Sequence, residues 1–161
     1  MLRFSADSIE CVPEGLLASS MLDGAPVEMR EPFLKSLRFC SAEADTVLYG
    51  EGEPGDTLWI VVQGEVTLTR QTASGEQVEL DRAGANDLFG ELAVISPATR
   101  AATARTSQPT DLLTLTRAQF QRLIDAREPC SEALLRYATL RICRRLRQLD
   151  ERIDLAHEVR E

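Results

Sequence analysis

The sequence predicts a mainly β fold with flanking helices (α+β), in which an antiparallel sandwich or jelly roll forms the middle of the chain. Between residues 57 and 115, short β-branched or alternating runs follow one another closely and are separated by glycine turns. This spacing favours an antiparallel sandwich or jelly roll over a parallel sheet. The segments on either side carry helical patterns of apolar residues. The 161 residues suit one domain with a usable core and some helical extension.

The N-terminal part, residues 1–40, is predicted to be helical with one apolar side. Pro26 and Pro32 are expected to split it into short helices, because proline removes a backbone donor and clashes with the preceding turn. The expected anchors are large apolar side chains: Leu16, Leu17, Met21, Leu22, Met29, Phe33, Leu34 and Leu37. These residues would pack on the β region.

The β region is expected to span residues 41–115. Strands are predicted at residues 57–62, 66–69, 77–80, 101–106 and 112–115. Gln63-Gly64 is predicted to be the hairpin turn between the first two of these strands, while Ser74-Gly75 and Gly84 mark later turns.

The C-terminal part is predicted to form a short helix over residues 116–127, capped by Thr116, and a long helix from about Ser131 to His157. Pro129 separates the two. In the long helix, small and apolar residues repeat every seven positions, with a second set four residues later: Leu135, Ile142, Leu149 and Ala156, then Thr139, Leu146 and Ile153.

This repeat is the spacing of a coiled-coil seam, although the same face would also suit packing on the chain's own β region as a lid. Two observations favour pairing into a homodimer. The seam continues past Leu149, and charges that can pair between subunits flank it: Arg144, Arg145, Arg147, Arg152, Asp150, Glu151 and Asp154.

Composition excludes several classes of function. The net charge of −8 argues against non-specific attraction to nucleic acid or anionic lipid. No run is apolar enough for a signal peptide or a membrane span, so we expect a cytoplasmic protein. The cysteines at 11, 40, 130 and 143 are scattered, and His157 is the only histidine, so no zinc or iron–sulfur site is expected. Without a serine–histidine pair or a P-loop, the chain is not expected to be an enzyme.

Residues 89–103 read Phe-Gly-Glu-Leu-Ala-Val-Ile-Ser-Pro-Ala-Thr-Arg-Ala-Ala-Thr and carry the clearest chemistry. Gly90 permits a positive φ or a close backbone approach, and a short helix starting at Glu91 would leave N–H groups free for an anion. Arg100 would add a guanidinium fork and the neutralising charge. Because a carboxylate repels an anion, Glu91 is expected to face away from it and to accept a hydrogen bond from a hydroxyl.

This run resembles the phosphate-binding cassette of the cyclic nucleotide-binding domains, the family of the catabolite activator protein and of the regulatory subunits of cyclic AMP-dependent protein kinase. The order is the family's: Gly-Glu-Leu-Ala, an apolar pair, a four-residue loop, then Arg-Ala-Ala-Thr. Residues 50–71 resemble the family's glycine-punctuated strand pair. The resemblance implies a jelly roll (double-stranded β-helix), with N-terminal helices that shift on ligand binding or only cover the core. It also implies that Glu91 accepts from the ribose 2′-OH.

The ligand-binding residues expected from the resemblance come from the cassette, the preceding strand and the long helix: Phe89, Gly90, Glu91, Leu92, Ala93, Arg100, Ala101, Ala102, Leu80, Arg147 and Asp150. On the long helix, Asp150 would accept from the base amino group or Arg147 would lie over the ring. Ala101 stands where members that prefer cyclic GMP tend to have threonine, which favours cyclic AMP. Asn86 replaces a frequent glycine, and asparagine tolerates a left-handed backbone.

The expected function is that of a stand-alone, bacterial-type sensor. Residues 1–130 would bind cyclic AMP, or else cyclic GMP or a cyclic dinucleotide, without a cofactor, and residues 131–161 would form the lid and dimerisation helix. The signal would pass to an unidentified effector protein. The family's transcription regulators need on the order of 60 further residues for a winged helix-turn-helix, so DNA binding is not expected. The alternative is an interaction module with this fold that no longer binds nucleotide, and retention of both Glu91 and Arg100 counts against it.

Overall fold

The computed structural model describes residues 1–5 and 7–158, and the side chains of residues 1–5 and 7–151. Its elements in chain order are β1 (Leu2–Phe4), α1 (Glu14–Leu17), a 3₁₀ turn (Ser20–Leu22), α2 (Val27–Ser36), β2 (Arg38–Ala42), β3 (Val47–Tyr49), β4 (Thr57–Gln63), β5 (Glu65–Gln71), β6 (Gln77–Gly84), β7 (Leu88–Phe89), α3 (Leu92–Ile95), β8 (Thr103–Thr106), β9 (Thr110–Thr116), α4 (Arg117–Asp125) and α5 (Pro129–Glu158).

The strands form two antiparallel sheets, which confirms the predicted mainly β jelly roll. One sheet has the order β1-β2-β9-β4-β7 and the other has the order β3-β8-β5-β6. Side chains from both sheets share one buried apolar cluster, to which β4 contributes Trp59 and Val61 and β5 contributes Val66 and Leu68. The space between the sheets is therefore one of the two parts of the core.

The second part of the core lies between the five-stranded sheet and the helices. Leu58 and Ile60 of β4 point to this side, whereas Trp59 and Val61 point to the other sheet. Successive side chains of a strand face opposite sides, so a central strand covered on both faces must be apolar throughout. This explains why residues 58–62 are buried without a break.

The predicted hairpin at Gln63-Gly64 is wrong, because β4 and β5 belong to different sheets. Gly64 has a φ of +97°, and a Cβ atom there would lie 2.6 Å from the carbonyl oxygen of Pro109. Only glycine fits this corner without strain, so Gly64 carries the chain from one sheet to the other.

The N-terminal part differs from its prediction in two ways. It begins with a strand, β1, which pairs with β2. Pro32 also lies inside α2 and does not split it. Pro32 is exposed, so water can reach the backbone acceptor that the missing N–H leaves free. Of the expected anchors, Met29 is exposed and Leu17 is partly buried, and the other six belong to the core.

The C-terminal helices follow their prediction closely. Thr116 caps α4 through a reciprocal pair of hydrogen bonds with Gln119. Pro129 is the first residue of α5, a position where its missing N–H is not needed. Among the described residues, no helix is both long and apolar enough to cross a bilayer.

The start of α5 packs on the body of the protein through Cys130, Ala133, Leu134 and Ala138, which are buried. The side chains of the predicted seam become more exposed toward the C-terminal end of α5. Leu135 and Ile142 are half-buried, while Leu146 and Leu149 are 57% and 53% exposed. Thr139 of the seam is exposed, whereas the last two seam positions, 153 and 156, and the charges at 152 and 154 fall outside the described side chains.

Candidate functional site

The cassette begins at the end of β7, where Phe89 pairs with Trp59 of β4. Gly90 has a φ of +73°, and a Cβ atom there would lie 3.1 Å from the carbonyl oxygen of Thr57 and 2.8 Å from Nη1 of Arg100. Both reasons predicted for a glycine, a positive φ and a close approach, therefore hold. Helix α3 begins at Leu92, one residue later than expected, and has four residues.

Arg100 lies in the loop after α3 and is only 7% exposed. Its guanidinium carbon is 4.0 Å from the centre of the Tyr49 ring, and its Nη1 donates to the carbonyl oxygen of Gly90 at 3.5 Å. Its Nε is buried without a hydrogen-bond partner, and Arg100 forms no ion pair with the described residues. Burial lowers the pKa of Arg100. A buried cation with an unused donor is a site that an anion would stabilise.

Glu91 is 1% exposed and has one cationic partner among the described side chains. Arg145 of α5 donates from Nη1 to Oε1 of Glu91 at 3.2 Å and from Nη2 to Oδ2 of Asp81 at 2.7 Å. The carboxylate expected to meet a ligand hydroxyl is therefore already held by a protein side chain. Arg145 is a site residue that our sequence-based set lacks.

A second arginine, Arg141, fastens α5 one turn earlier. It donates to Oδ2 of Asp81 at 3.0 Å and also to Asp87, which accepts from the Tyr137 hydroxyl at 3.1 Å. Burial lowers the pKa of Arg141, but the surrounding carboxylates, chiefly Asp87, raise it above its ordinary value. Asp87 follows Asn86, whose φ of 68° confirms the left-handed turn predicted there.

The space between the cassette and α5 is a cavity of about 40 Å³. It is lined by Tyr49, Leu68, Gly90, Glu91, Leu92, Ala93, Thr99, Arg100, Ala101, Ala102 and Arg145. Pockets for small organic ligands usually measure at least about 300 Å³. The site is therefore too small for such a ligand in this structure, and we call this arrangement, in which Arg145 forms part of the lining, the closed site.

Seven of the expected site residues line this cavity: Gly90, Glu91, Leu92, Ala93, Arg100, Ala101 and Ala102. Phe89 lies beneath it, fully buried, with its ring centre 6.1 Å from that of Trp59 and 6.2 Å from that of Tyr49. Phe89 supports the cassette and does not line the cavity.

The structure does not bring the other three expected residues to the cavity. Leu80 is 49% exposed on β6, and Arg147 and Asp150 are exposed on α5. The helix turns about 100° per residue, so position 147 is roughly 160° and position 150 roughly 140° away from Arg145. Arg145 lies on the side of α5 on which Leu134 and Ala138 are buried and Arg141 is partly buried. The spacing of apolar Leu134 and Ala138 is the sequence signal for this side of the helix.

The described residues do not suggest metal or thiol chemistry at this site. No three histidine, cysteine, aspartate or glutamate side chains among them converge as a metal site. Burial raises the pKa of the Cys40 and Cys130 thiols to about 12, so both stay protonated. Burial likewise raises the pKa of Tyr49 to about 12, so Arg100 faces a neutral phenol.

Residues 39–127, more than half of the chain, match the family model described as the cyclic nucleotide-binding domain. The matched stretch contains Glu91 and Arg100. The CRP-like cAMP-activated global transcriptional regulator of Mycobacterium tuberculosis is 33% identical over 106 residues, which cover 66% of this chain and 46% of that protein. The chain thus spans about half the length of the curated relatives it matches.

Two solved structures extend the similarity to three dimensions. The catabolite activator protein of Thermus thermophilus is 27% identical with a TM-score of 0.76, over 86% of this chain and 63% of that one. The regulatory domain of Toxoplasma gondii PKA, crystallised with cAMP, is 26% identical with a TM-score of 0.63, over 78% of this chain and 47% of that one. Both similarities cover more than three quarters of the chain.

Proposed function

The chain belongs to the cyclic nucleotide-binding domain family, and we propose that it binds cyclic AMP and passes the signal to a partner protein through movement of α5. The observation that carries this proposal is Arg100. It is nearly buried, forms no ion pair with the described residues and keeps a buried Nε–H without an acceptor. A cyclic phosphate, with one negative charge on two exocyclic oxygens, supplies both the charge and the acceptor.

The small residues beside Arg100 suit this assignment. Ala101 and Ala102 also line the cavity, and their methyl groups leave the backbone accessible to a phosphate. Ala101 offers no hydroxyl to the amino group of guanine, which favours cyclic AMP over cyclic GMP only modestly, because alanine does not repel guanine. The proposal assigns no base contact to Leu80, Arg147 or Asp150, because they lie outside the cavity lining.

Glu91 would accept a hydrogen bond from the ribose 2′-OH. This role would couple ligand binding to the position of α5. Glu91 is bound to Arg145 in the closed site, and the cavity is far smaller than a nucleotide. Arg145 must therefore shift before the ligand enters, and α5 carries Arg145. A ligand that binds only after Arg145 has shifted increases the population of molecules in which α5 has moved.

We further propose that α5 pairs two copies of the chain through its seam. Leu146 and Leu149 project away from the body and are more than half exposed. Two exposed leucines three residues apart lie on one side of a helix. A second helix that covers them removes their apolar surface from water and thereby stabilises the paired form. Movement of α5 would then change the surface that the pair presents to its partner.

Isothermal titration of the full chain with cyclic AMP tests the proposed function. We expect binding by the wild type, and a loss of about 30-fold to several thousand-fold in Arg100→Ala, the range for removing one partner of a buried charge pair. The matched control is Arg122→Ala, an exposed arginine of α4. A wild type that gives no heat at millimolar ligand, or an Arg100→Ala variant that binds normally, would contradict the proposal.

The same titration decides between this function and a second one. The closed cavity and the Glu91–Arg145 pair also suit an interaction module that has kept the fold and lost the ligand. That module would give no heat with any cyclic nucleotide. The buried Nε–H of Arg100 favours the sensor, because a buried donor without an acceptor destabilises a protein that never binds an anion.

A further inference from the structure

We propose that the groove between the 3₁₀ turn (Ser20–Leu22) and α5 is a docking surface for an acidic, amphipathic segment of a partner protein. This inference rests on the proposed function, because it names the class of partner protein to which the ligand site would signal. The groove has a volume of about 300 Å³, and its lining includes Ser20, Tyr137, Leu140 and three arginines, Arg136, Arg141 and Arg144. We call it the arginine groove.

The charge of the arginine groove is opposite to that of the whole protein. The chain has a net charge of −8, yet residues 133–149 contain five arginines and no aspartate or glutamate. Arg136 and Arg144 are exposed, and neither forms an ion pair with the side chains that the structure describes. The groove lining contains one carboxylate, that of Asp23, whose backbone oxygen accepts from Arg136. Guanidinium groups in this arrangement are complementary to carboxylates.

Leu140 makes the surface amphipathic. It is 54% exposed and lies four residues from both Arg136 and Arg144, so it stands between two guanidinium groups on one side of α5. A segment that fits here needs an apolar side chain for Leu140 and a carboxylate on either side of it. Duplex DNA and anionic membranes also carry the negative charge that would pair with these arginines. They are extended polyanions, however, and the protein's net charge of −8 repels them.

The arginine groove and the pairing seam occupy different sides of α5. At about 100° per residue, Leu140 is roughly 120° from Leu146 and roughly 180° from Leu149. The partner surface therefore stays accessible when two copies pair through the seam. It also lies apart from the cassette cavity, because the two linings share no residue.

Arg141 connects the arginine groove with the ligand site. It lines the groove while donating to Asp81 and Asp87, and its Nε is buried without a partner. Asp81 is shared with Arg145, which holds Glu91. A partner carboxylate that draws Arg141 toward the groove competes with Asp81, so partner and ligand bias the same part of α5. Such coupling is reciprocal.

Fluorescence anisotropy with a labelled helical peptide tests the docking surface on the full chain. The probe is an alanine-based peptide with one leucine and a glutamate four residues before and after it. The first control peptide replaces the glutamates with lysines, and the second replaces the leucine with serine. We expect the probe to bind at least about tenfold more tightly than either control, since both the charge and the apolar contact are needed.

Protein variants locate the binding. The double variant Arg136→Ala/Arg144→Ala should weaken probe binding by about tenfold or more, whereas Arg122→Ala, which changes an exposed arginine elsewhere, should not. Leu140→Ser, at a position that is 54% exposed, should also weaken probe binding, because it removes the apolar contact. Equal binding of the three peptides, or unchanged binding by the double variant, overturns the proposal. So does tighter binding of a 20-base-pair duplex or of anionic vesicles through the same arginines.

Titration with cyclic AMP separates this proposal from the proposed function. The double variant should bind cyclic AMP like the wild type, because Arg136 and Arg144 do not line the cassette cavity. Probe binding without cyclic AMP binding supports the docking surface and contradicts the sensor. Cyclic AMP binding without probe binding overturns the docking surface alone. A probe Kd that stays unchanged at saturating cyclic AMP refutes the coupling through Arg141.

Discussion

Asp81→Asn should tighten the binding of cyclic AMP, because Asp81 helps to hold the site closed. Its Oδ2 accepts from Arg145 at 2.7 Å and from Arg141 at 3.0 Å. Asparagine keeps the size of the side chain and removes the charge. If the ligand binds only after Arg145 has moved, every interaction that stabilises the closed arrangement weakens apparent affinity.

The size of the effect follows from the exposure of the groups. The side chains of Asp81 and Arg145 are each about one-third exposed, so solvent screens their attraction, while Arg141 is 13% exposed. Two such partly screened pairs together contribute about 0.5–2 kcal/mol to the closed state. Removing them should lower the Kd for cyclic AMP by roughly 2- to 30-fold.

Two measurements check this prediction. Titration calorimetry gives the Kd, and stopped-flow fluorescence gives the association rate, which should rise because less time is spent closed. Trp59 is the only tryptophan of the chain and stacks on Phe89 beneath the cassette, so it reports on the site directly. The matched control is Asp45→Asn, which removes an exposed ion pair with Arg105. Weaker binding by Asp81→Asn would refute the reasoning and show that Asp81 positions Arg145 for the ligand.

Three further predictions concern the ribose, the base and the seam. 2′-Deoxy cyclic AMP should bind more weakly than cyclic AMP by about 1.5–3 kcal/mol, because it cannot donate a hydrogen bond to Glu91. Glu91→Gln should shrink this difference. Equal affinities of the two ligands in calorimetry would disprove the contact. Ala101→Thr should move selectivity toward cyclic GMP in competition binding, since the added hydroxyl can meet the guanine amino group, and an unchanged ratio of affinities would argue against that contact. Leu146→Glu should yield monomers in light scattering that still bind nucleotide, because a charge in an apolar seam is costly, whereas Leu140→Glu, on another side of α5, should leave pairing intact. A wild type that is monomeric with and without ligand would rule out the seam.

The sequence alone determined the features that depend on local chemistry. The φ of +73° at Gly90, the left-handed turn at Asn86 and the Thr116 cap were all predictable, because each reflects the conformational limits or hydrogen bonds of a few neighbouring residues. The chemistry of the cassette and its family resemblance likewise led to Arg100 as the residue expected to meet a phosphate. Few residue types can bind a phosphate, and the cassette places this one at a fixed spacing.

Only the tertiary structure decided which distant side chains meet. Gly64 looks like a hairpin residue in sequence, yet it is a corner, because strand pairing depends on partners such as β9 that lie about 50 residues away. Arg145 was missed as a partner of Glu91, and Arg147 and Asp150, expected at the base, lie away from the cavity, because the rotation of α5 about its axis is set by packing at Leu134 and Ala138. That rotation also directs Arg141 to Asp81 and leaves Leu140 in solvent. Local chemistry thus led to the cassette proposed here as the anion site, whereas long-range packing determined which residues cover it.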